Sequence, residues 1–273
     1  MSEFICGPAL LFAPAGRPEI LPKAADRADM VIVDLEDGAG EVDRETAYAT
    51  IKESGLDPAR TIIRTVGPDD PNFASDVEMV KSTDYSLVMV PKVQASLPGD
   101  LDGLSVIAMV ETPVAVINIP SLVADPRVVG MFWGAEDLTH LLGGTHSRFL
   151  DDEQGAGGYR DTMRFTRALM HIHAAAHGKF TIDAIHADFH DEDGQFREAL
   201  DAARTGFAGT ACIHPKQVET VRRAYRPEPD QVEWALRVVE EAKKFPGAFK
   251  LDGQMIDAPL ISQAEMIISR QLA

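Results

Sequence analysis

The chain has 273 residues, 45% of them hydrophobic and 25% charged, and carries a formal charge of −17. That length suits one large α/β domain rather than two small ones. The acidity argues against nucleic acid as a partner, since tracking phosphates needs basic clusters, and the apolar runs, all under ten residues, are too short to span a membrane.

Taken in chain order, apolar runs alternate with amphipathic stretches. Strands are expected near 8–13, 30–34, 61–65, 86–91, 104–110, 128–133, 180–184 and 209–213. Helical patterns fall near 19–27, 43–54, 73–82, 112–124, 136–142, 160–177, 194–205 and 215–225. Eight such units in series are the count of a TIM (β/α)8 barrel, placed at 1–225. A doubly wound sheet is the alternative, but no Gly-rich dinucleotide loop follows any strand. The polar, Gly-rich connection 143–158 (GGTHSRFLDDEQGAGG) reads as a lid over the mouth. Residues 226–273 form an extension with helices at 228–245 and 260–270 and a loop at 245–259, packing on the barrel or on a neighbouring subunit.

The N-terminal stretch has no basic start leading into a long apolar region, so no signal peptide is expected. Cys6 and Cys212 are too few for a disulfide framework and are expected as buried free thiols, which fits the expectation of a reducing, cytoplasmic setting.

The strand-like runs end in charged residues. MVIVDLEDG leads to Asp34, Glu36 and Asp37; TIIRT carries Arg64; SLVMVPK ends in Lys92; SVIAMVET leads to Glu111; and VVGMFWGAEDL leads to Glu136 and Asp137. The C-terminal ends of parallel barrel strands are where chemistry is carried out. Glu111 and Asp137 on adjacent strands can hold Mg²⁺, which takes oxygen ligands and keeps several waters; both also open helical patterns, where acids are favoured for capping alone. Asp34, Glu36 and Asp37 either accept from metal-bound water or form a solvated turn. Arg64 lies inside an apolar strand, so it is expected to point into the mouth toward a carboxylate or carbonyl oxygen, with an ion pair to Glu36 or Glu111 as the structural alternative. Lys92 is a second positive candidate, with a Schiff-base role open in principle. Asp183, His186 and His214 also stand at strand ends. No histidine zinc spacing occurs, so the two histidines are expected at the rim, and His171, His173 and His177 in solvent.

The strings LLFAPAGRPE, VIVDLEDG, TIIRT, VMVPKV, VIAMVET, GMFWGAEDL, CIHPKQV and GAFKLDGQMIDAP resemble, in order, the citrate lyase beta-subunit-like family of the aldolase/citrate lyase superfamily. The resemblance implies a TIM barrel, commonly a homotrimer, that binds Mg²⁺ and makes or cleaves carbon–carbon bonds in 3-hydroxyacyl thioesters of coenzyme A. It implies Glu111 and Asp137 as metal ligands, Arg64 as the substrate arginine, and Asp257 as an acid/base group reaching a neighbouring subunit's site. Pro14 and Arg17 correspond to a region near the coenzyme A pocket. From their places at the strand ends, Glu36, Asp37 and Lys92 are expected beside the substrate or behind the metal-bound water. Where relatives read Arg-x-Asn, this chain reads Arg64-Thr65-Val66, which removes one polar contact.

The expectation is an Mg²⁺-dependent lyase for malyl-CoA, citramalyl-CoA or hydroxymethylglutaryl-CoA, with thioester hydrolysis open to the same site. The alternatives are a beta subunit of a citrate lyase complex and a metal-dependent aldolase of free 2-keto acids.

Overall fold

The computed structural model describes residues 4–40, 42–150, 152–155, 157–245 and 247–271. Asp151 and Ala156 of the expected lid, Pro246 of the expected loop, and the outermost residues of both expected domains lie outside the described residues.

Eight parallel strands close into a barrel: β1 (Ala9–Pro14), β2 (Met30–Asp34), β3 (Thr61–Arg64), β4 (Leu87–Val90), β5 (Ser105–Val110), β6 (Val128–Trp133), β7 (Phe180–Asp183) and β8 (Gly209–Cys212). Closure is made by β1 and β8, with Leu10 opposite Ala211. Around it run α1 (Leu21–Arg27), α2 (Arg44–Glu53), α3 (Phe73–Lys81), α4 (Pro113–Ile117), α5 (Ile119–Ala124), α6 (Ala135–Leu141), α7 (Asp161–Ala176), α8 (Glu192–Thr205) and α9 (Gln217–Tyr225). The expected helix at 112–124 is two short ones, because Pro120 has no N–H to donate and interrupts the ladder after Asn118.

Alternation along each strand sorts side chains between two cores. Leu10, Met30, Ile32, Ile62, Leu87, Met89, Ile107, Met109, Phe132, Ile182 and Ala211 fill the barrel interior. Their neighbours Leu11, Val31, Val33, Ile63, Val88, Val90, Val106, Ala108 and Val110 pack outward against the helices. The same parity decides the fate of the polar strand ends. Asp34 and Arg64 follow Ile32 and Ile62 by two positions, and Glu111 follows Met109, so all three face inward. Asp183 follows Ile182 by one and faces outward. There it accepts from Trp133 Nε1 at 2.7 Å and from Arg167 Nε and Nη2, both at 2.9 Å. It braces β6, β7 and α7 and takes no place in the mouth.

The extension comprises α10 (Pro229–Ala242), a hairpin of β9 (Phe249–Leu251) and β10 (Gln254–Ile256), and α11 (Ala258–Gln271). The hairpin lies where a loop was expected. Its turn is Asp252-Gly253, with both φ angles positive (49° and 85°), a conformation that an Asp-Gly pair adopts readily. Ala235, Val238, Ile256 and Ala264 form a small core of its own, and Arg270 ties α11 to the barrel by donating to Ala203 O at 2.7 Å. Among the described residues, no helix is long and apolar enough to cross a membrane. Cys212 is buried as expected, whereas Cys6 is exposed at the barrel floor, beyond the packed strands. His171 is not in solvent either: it stacks on Phe207, and its ring nitrogens lie 2.8 Å from Thr181 Oγ1 and 2.9 Å from Thr205 O.

Because Asp183 is buried and Arg167 is its charged partner, with Trp133 adding only a neutral donor, Arg167→Met should leave it an uncompensated anion. Urea unfolding of that variant is expected to show a loss of about 3–5 kcal/mol. A loss below about 1 kcal/mol would mean that the pair contributes little.

Candidate active site

Each inward strand end delivers one group to the C-terminal mouth. Arg64 closes β3 and meets Asp34 of β2 side by side: Nε donates to Oδ1 at 2.7 Å and Nη2 to Oδ2 at 2.6 Å. Its Nη1 lies 3.0 Å from Glu36 Oε2, and its guanidinium covers the Phe12 ring at 4.7 Å. Asp34 is itself fixed, accepting from the N–H groups of Glu36 and Gly38 and so shaping the turn after β2. Arg64 is therefore charged at every working pH. Burial opposes the charge, but Asp34 and Glu36 outweigh it and raise its pKa.

Beyond β4 the chain turns at Lys92 (φ 53°) and points the Lys92 N–H at Glu111 Oε1, 2.7 Å away. A side chain at φ > 0 is a strained choice that is repaid where the backbone must aim a donor. The Lys92 side chain reaches back to Glu36 Oε1 at 2.6 Å and to Asp37 at 3.5 Å. Burial pulls its pKa down, yet the bond to Glu36 carries it above the ordinary value. An ammonium held by Glu36 is not free to attack a carbonyl, which argues against the Schiff-base role.

Glu111 is 2% exposed. Burial, with Asp137 and then Glu36 nearby, pushes its carboxyl up to about 8. The cap of α4 is supplied by Thr112 Oγ1, which accepts from Ala115 N, so capping does not account for Glu111. Asp137 sits in the first turn of α6. Between them Gly134 has no side chain, and a Cβ there would collide with the Glu111 carboxylate.

Phe12, Pro14, Asp34, Asp37, Arg64, Glu111 and Asp137 line one cavity of about 430 Å³. Glu36, Asp37, Lys92 and Asp137 also line an adjoining cleft of about 810 Å³. Five carboxylates (Asp34, Glu36, Asp37, Glu111, Asp137) thus face two cations (Arg64, Lys92). Glu36 shows the deficit: burial raises its pKa despite both partners. Among the described residues no group of three or more His, Cys, Asp or Glu side chains is arranged to hold a metal. A hydrated divalent cation needs only one or two carboxylates, with water and substrate completing its shell. Glu111 and Asp137 fit that requirement. A larger cavity of about 1000 Å³, lined by Pro8, Asp29, Lys179 and Arg270, lies at the opposite face and holds none of these carboxylates.

The remaining expected residues divide. Arg17 is exposed and paired with Glu19 at 3.1 Å. Asp257 follows β10 in the extension and is absent from the lining of its own chain's mouth. His214 stacks on Phe189, while His186 is buried with Nδ1 2.9 Å from Glu198 Oε2. Val66, two positions after Arg64, gives its N–H to Asp76 Oδ2 and its side chain to the core.

The 143–158 connection is braced at Arg148. Arg148 donates to Glu198, Glu136, Tyr159 Oη and Ile185 O. Nothing in the sequence pairs Arg148 with Glu198, which is 50 positions away on another helix.

With this geometry in view, comparison with known proteins settles the lineage. The profile of the HpcH/HpaI aldolase/citrate lyase family matches residues 9–97 and 99–215. This chain belongs to that family. It is 42% identical to a citrate lyase subunit beta-like protein of Mycobacterium tuberculosis, over 97% of this chain and 95% of that one. It is 28% identical to a (3S)-malyl-CoA thioesterase of Cereibacter sphaeroides, over 96% and 93%. The structure of CitE from M. tuberculosis in complex with magnesium, acetoacetate and coenzyme A superposes with a TM-score of 0.87 at 41% identity, covering 99% of this chain and all of that one. The resemblance read from GAED, MVET and LEDG and the expected (β/α)8 barrel are both borne out within the aldolase/citrate lyase family.

The raised pKa of Glu111 sets a pH dependence. A carboxyl near 8 in the fold and near the ordinary value when unfolded favours the fold below about pH 4.5, and that contribution is lost as pH rises through 8. In metal-free protein, Glu111→Gln should therefore raise Tm relative to the parent at pH 8 and leave it nearly unchanged at pH 5. An equal effect at both values would mean that Glu111 is not the strained group.

Proposed function

We propose that this protein is an Mg²⁺-dependent carbon–carbon lyase acting on short 3-hydroxyacyl thioesters of coenzyme A, of the malyl-CoA or citramalyl-CoA kind. The observation that carries the reading is the pairing, in one cavity, of a fixed guanidinium (Arg64) with two carboxylates that lack a cation (Glu111, Asp137). Support comes also from the M. tuberculosis CitE complex with magnesium, acetoacetate and coenzyme A.

Glu111 and Asp137 would hold the ion, which supplies a Lewis acid for the oxygens of the acid portion. The remaining work falls to the chain. Asp34 and Glu36 hold the Arg64 guanidinium rigid, so its remaining N–H groups are aimed without reorganisation at the thioester oxygen, where charge gathers as the bond breaks. The Lys92 ammonium keeps Glu36 turned toward Arg64. Phe12, Met109 and Phe132 keep the cavity wall apolar, which strengthens each of these interactions. In the condensing direction Asp257 of a neighbouring copy takes a methyl proton from the acetyl thioester; in cleavage it returns the proton to the enolate carbon. Asp257 is absent from the lining of its own chain's cavity, which supports assigning that base to a second copy; the working unit is then a homo-oligomer, a trimer by family resemblance. Pro14, at the end of β1, and the loop carrying Arg17 border the mouth on the side assigned to coenzyme A.

A hydrolytic second reading is favoured by the (3S)-malyl-CoA thioesterase relative: water then attacks the carbonyl carbon of the same thioester, the C–S bond breaks, and coenzyme A leaves as the thiol with the proton that the water gives up. Work as a beta subunit in a citrate lyase complex is the third.

Mass spectrometry of products from a panel of malyl-, citramalyl-, hydroxymethylglutaryl- and citryl-thioesters, with and without Mg²⁺, tests the proposal. Turnover that ignores EDTA, or occurs only with free 2-keto acids, refutes it. Arg64→Lys should lower kcat by about 10²–10³ while Mg²⁺ affinity changes little; unchanged kcat removes Arg64 from the chemistry. Mixing inactive Arg64→Lys and Asp257→Asn subunits should restore part of the activity, since some mouths then receive both intact groups. No recovery in mixed oligomers would place Asp257 outside the reaction.

A further inference from the structure

Arg148 stands outside the mouth yet touches several of its supports. It donates through Nε to Glu198 Oε1 at 2.6 Å, through Nη2 to Glu198 Oε2 at 3.0 Å, Tyr159 Oη at 2.6 Å and Ile185 O at 3.1 Å, and through Nη1 to Glu136 Oε1 at 2.9 Å. Its guanidinium also lies 4.2 Å over the Tyr159 ring. Glu198, on α8, is held from the other side by His186 Nδ1 at 2.9 Å, and Gln217 Nε2 on α9 donates to His186 O at 2.8 Å. Burial works against the Glu198 carboxylate, but the bonds from His186 and Arg148 keep its pKa below the ordinary range. The network is thus a set of fixed charges in a low-dielectric wall, anchored on two helices and the end of β7.

What it holds on the mouth side is Glu136, which also accepts from Ser147 Oγ at 2.8 Å. Glu136 is the residue before Asp137, in the first turn of α6, where Gly134 lies against the Glu111 carboxylate. Gly134 gives α6 no side-chain cap; Ala135 and Leu138 seat the inner side of the turn in the core, and the bonds from Ser147 and Arg148 to Glu136 hold it from outside. Ile185, whose carbonyl Arg148 also holds, lines the same cavity as Asp137.

We infer that Arg148 is a positioning residue: through Glu136 it fixes the first turn of α6 so that the Asp137 carboxylate stays aimed at Glu111. The inference rests on the proposed role of Glu111 and Asp137 as the cation site. It gives the polar connection after β6 a function other than that of a moving lid. Partners that orient metal ligands from behind typically change metal affinity about 10–100-fold when lost.

The test is Mg²⁺ affinity by calorimetry on the full-length protein, with Mn²⁺ as a second probe. Wild type without detectable binding refutes the proposed cation site itself and is distinguishable from failure here. Given wild-type binding, Glu136→Gln, which leaves the Arg148–Glu198 pair intact, and Arg148→Ala should each weaken Mg²⁺ by about 10-fold or more. The double variant should be no weaker than the worse single one, since both act through one contact. Arg148→Lys should restore little, because a point charge cannot replace the planar fork. Affinities unchanged in Glu136→Gln, or losses that multiply in the double variant, overturn the inference. Should Arg148→Ala fail to fold, Glu136→Gln and Arg148→Lys still decide it.

Discussion

The mouth is organised by a buried charge that cannot be moved. Arg64 enters the barrel on a strand whose other inward side chain is Ile62, and it is tolerated there because Asp34 meets it edge to edge. That pair fixes the turn after β2, since the same Asp34 oxygens accept from two backbone N–H groups of the turn. The turn brings Glu36 over Arg64, Glu36 draws in Lys92, and the backbone at Lys92 holds Glu111. Four strands are thereby locked around one guanidinium. The chain of contacts ends at the buried Glu111 carboxylate, the group on which the proposed chemistry rests.

Two kinds of support surround this centre. On the β2–β4 side they are direct ion pairs in the mouth. On the β6–β8 side they are set one layer back, in Arg167–Asp183 and Arg148–Glu198, both behind the barrel wall. The asymmetry leaves the cavity wall between Phe12 and Phe132 apolar and leaves the open cleft beside Glu36 and Asp137 polar.

Much of this was legible in the residues. Barrel strands buried on both faces read as continuous apolar runs, and all eight were placed close to their bounds. The period-2 alternation also carried the fate of Asp34, Arg64, Glu111 and Asp183, although the difference between the first three and Asp183 emerges only when each is counted from its inward neighbour. What the chain did not disclose were pairings at long range. Arg148 finds Glu198 across 50 positions and Tyr48 finds Asp76 across 28, and no local pattern marks either. The hairpin at Asp252-Gly253 is different: the Asp-Gly signal was present, but its strands are three residues each, too short for alternation to show. His171 was misplaced because its helix is amphipathic only on average, and one ring at its edge finds Phe207 to stack on.

The alternation of inward and outward positions also bears on how such a protein can change over time. Exchanging one residue for another at a strand end alters one group in the mouth and leaves its neighbours where they were. Gaining or losing a single codon within β2, β3 or β5 would rotate every later position of that strand by half a turn. Val33, Ile63 or Val110 would then face the cavity, and the charged group would be buried among the helices. Lineages built on this barrel are therefore free to vary length in the connections, and within the strands they diversify by replacement alone.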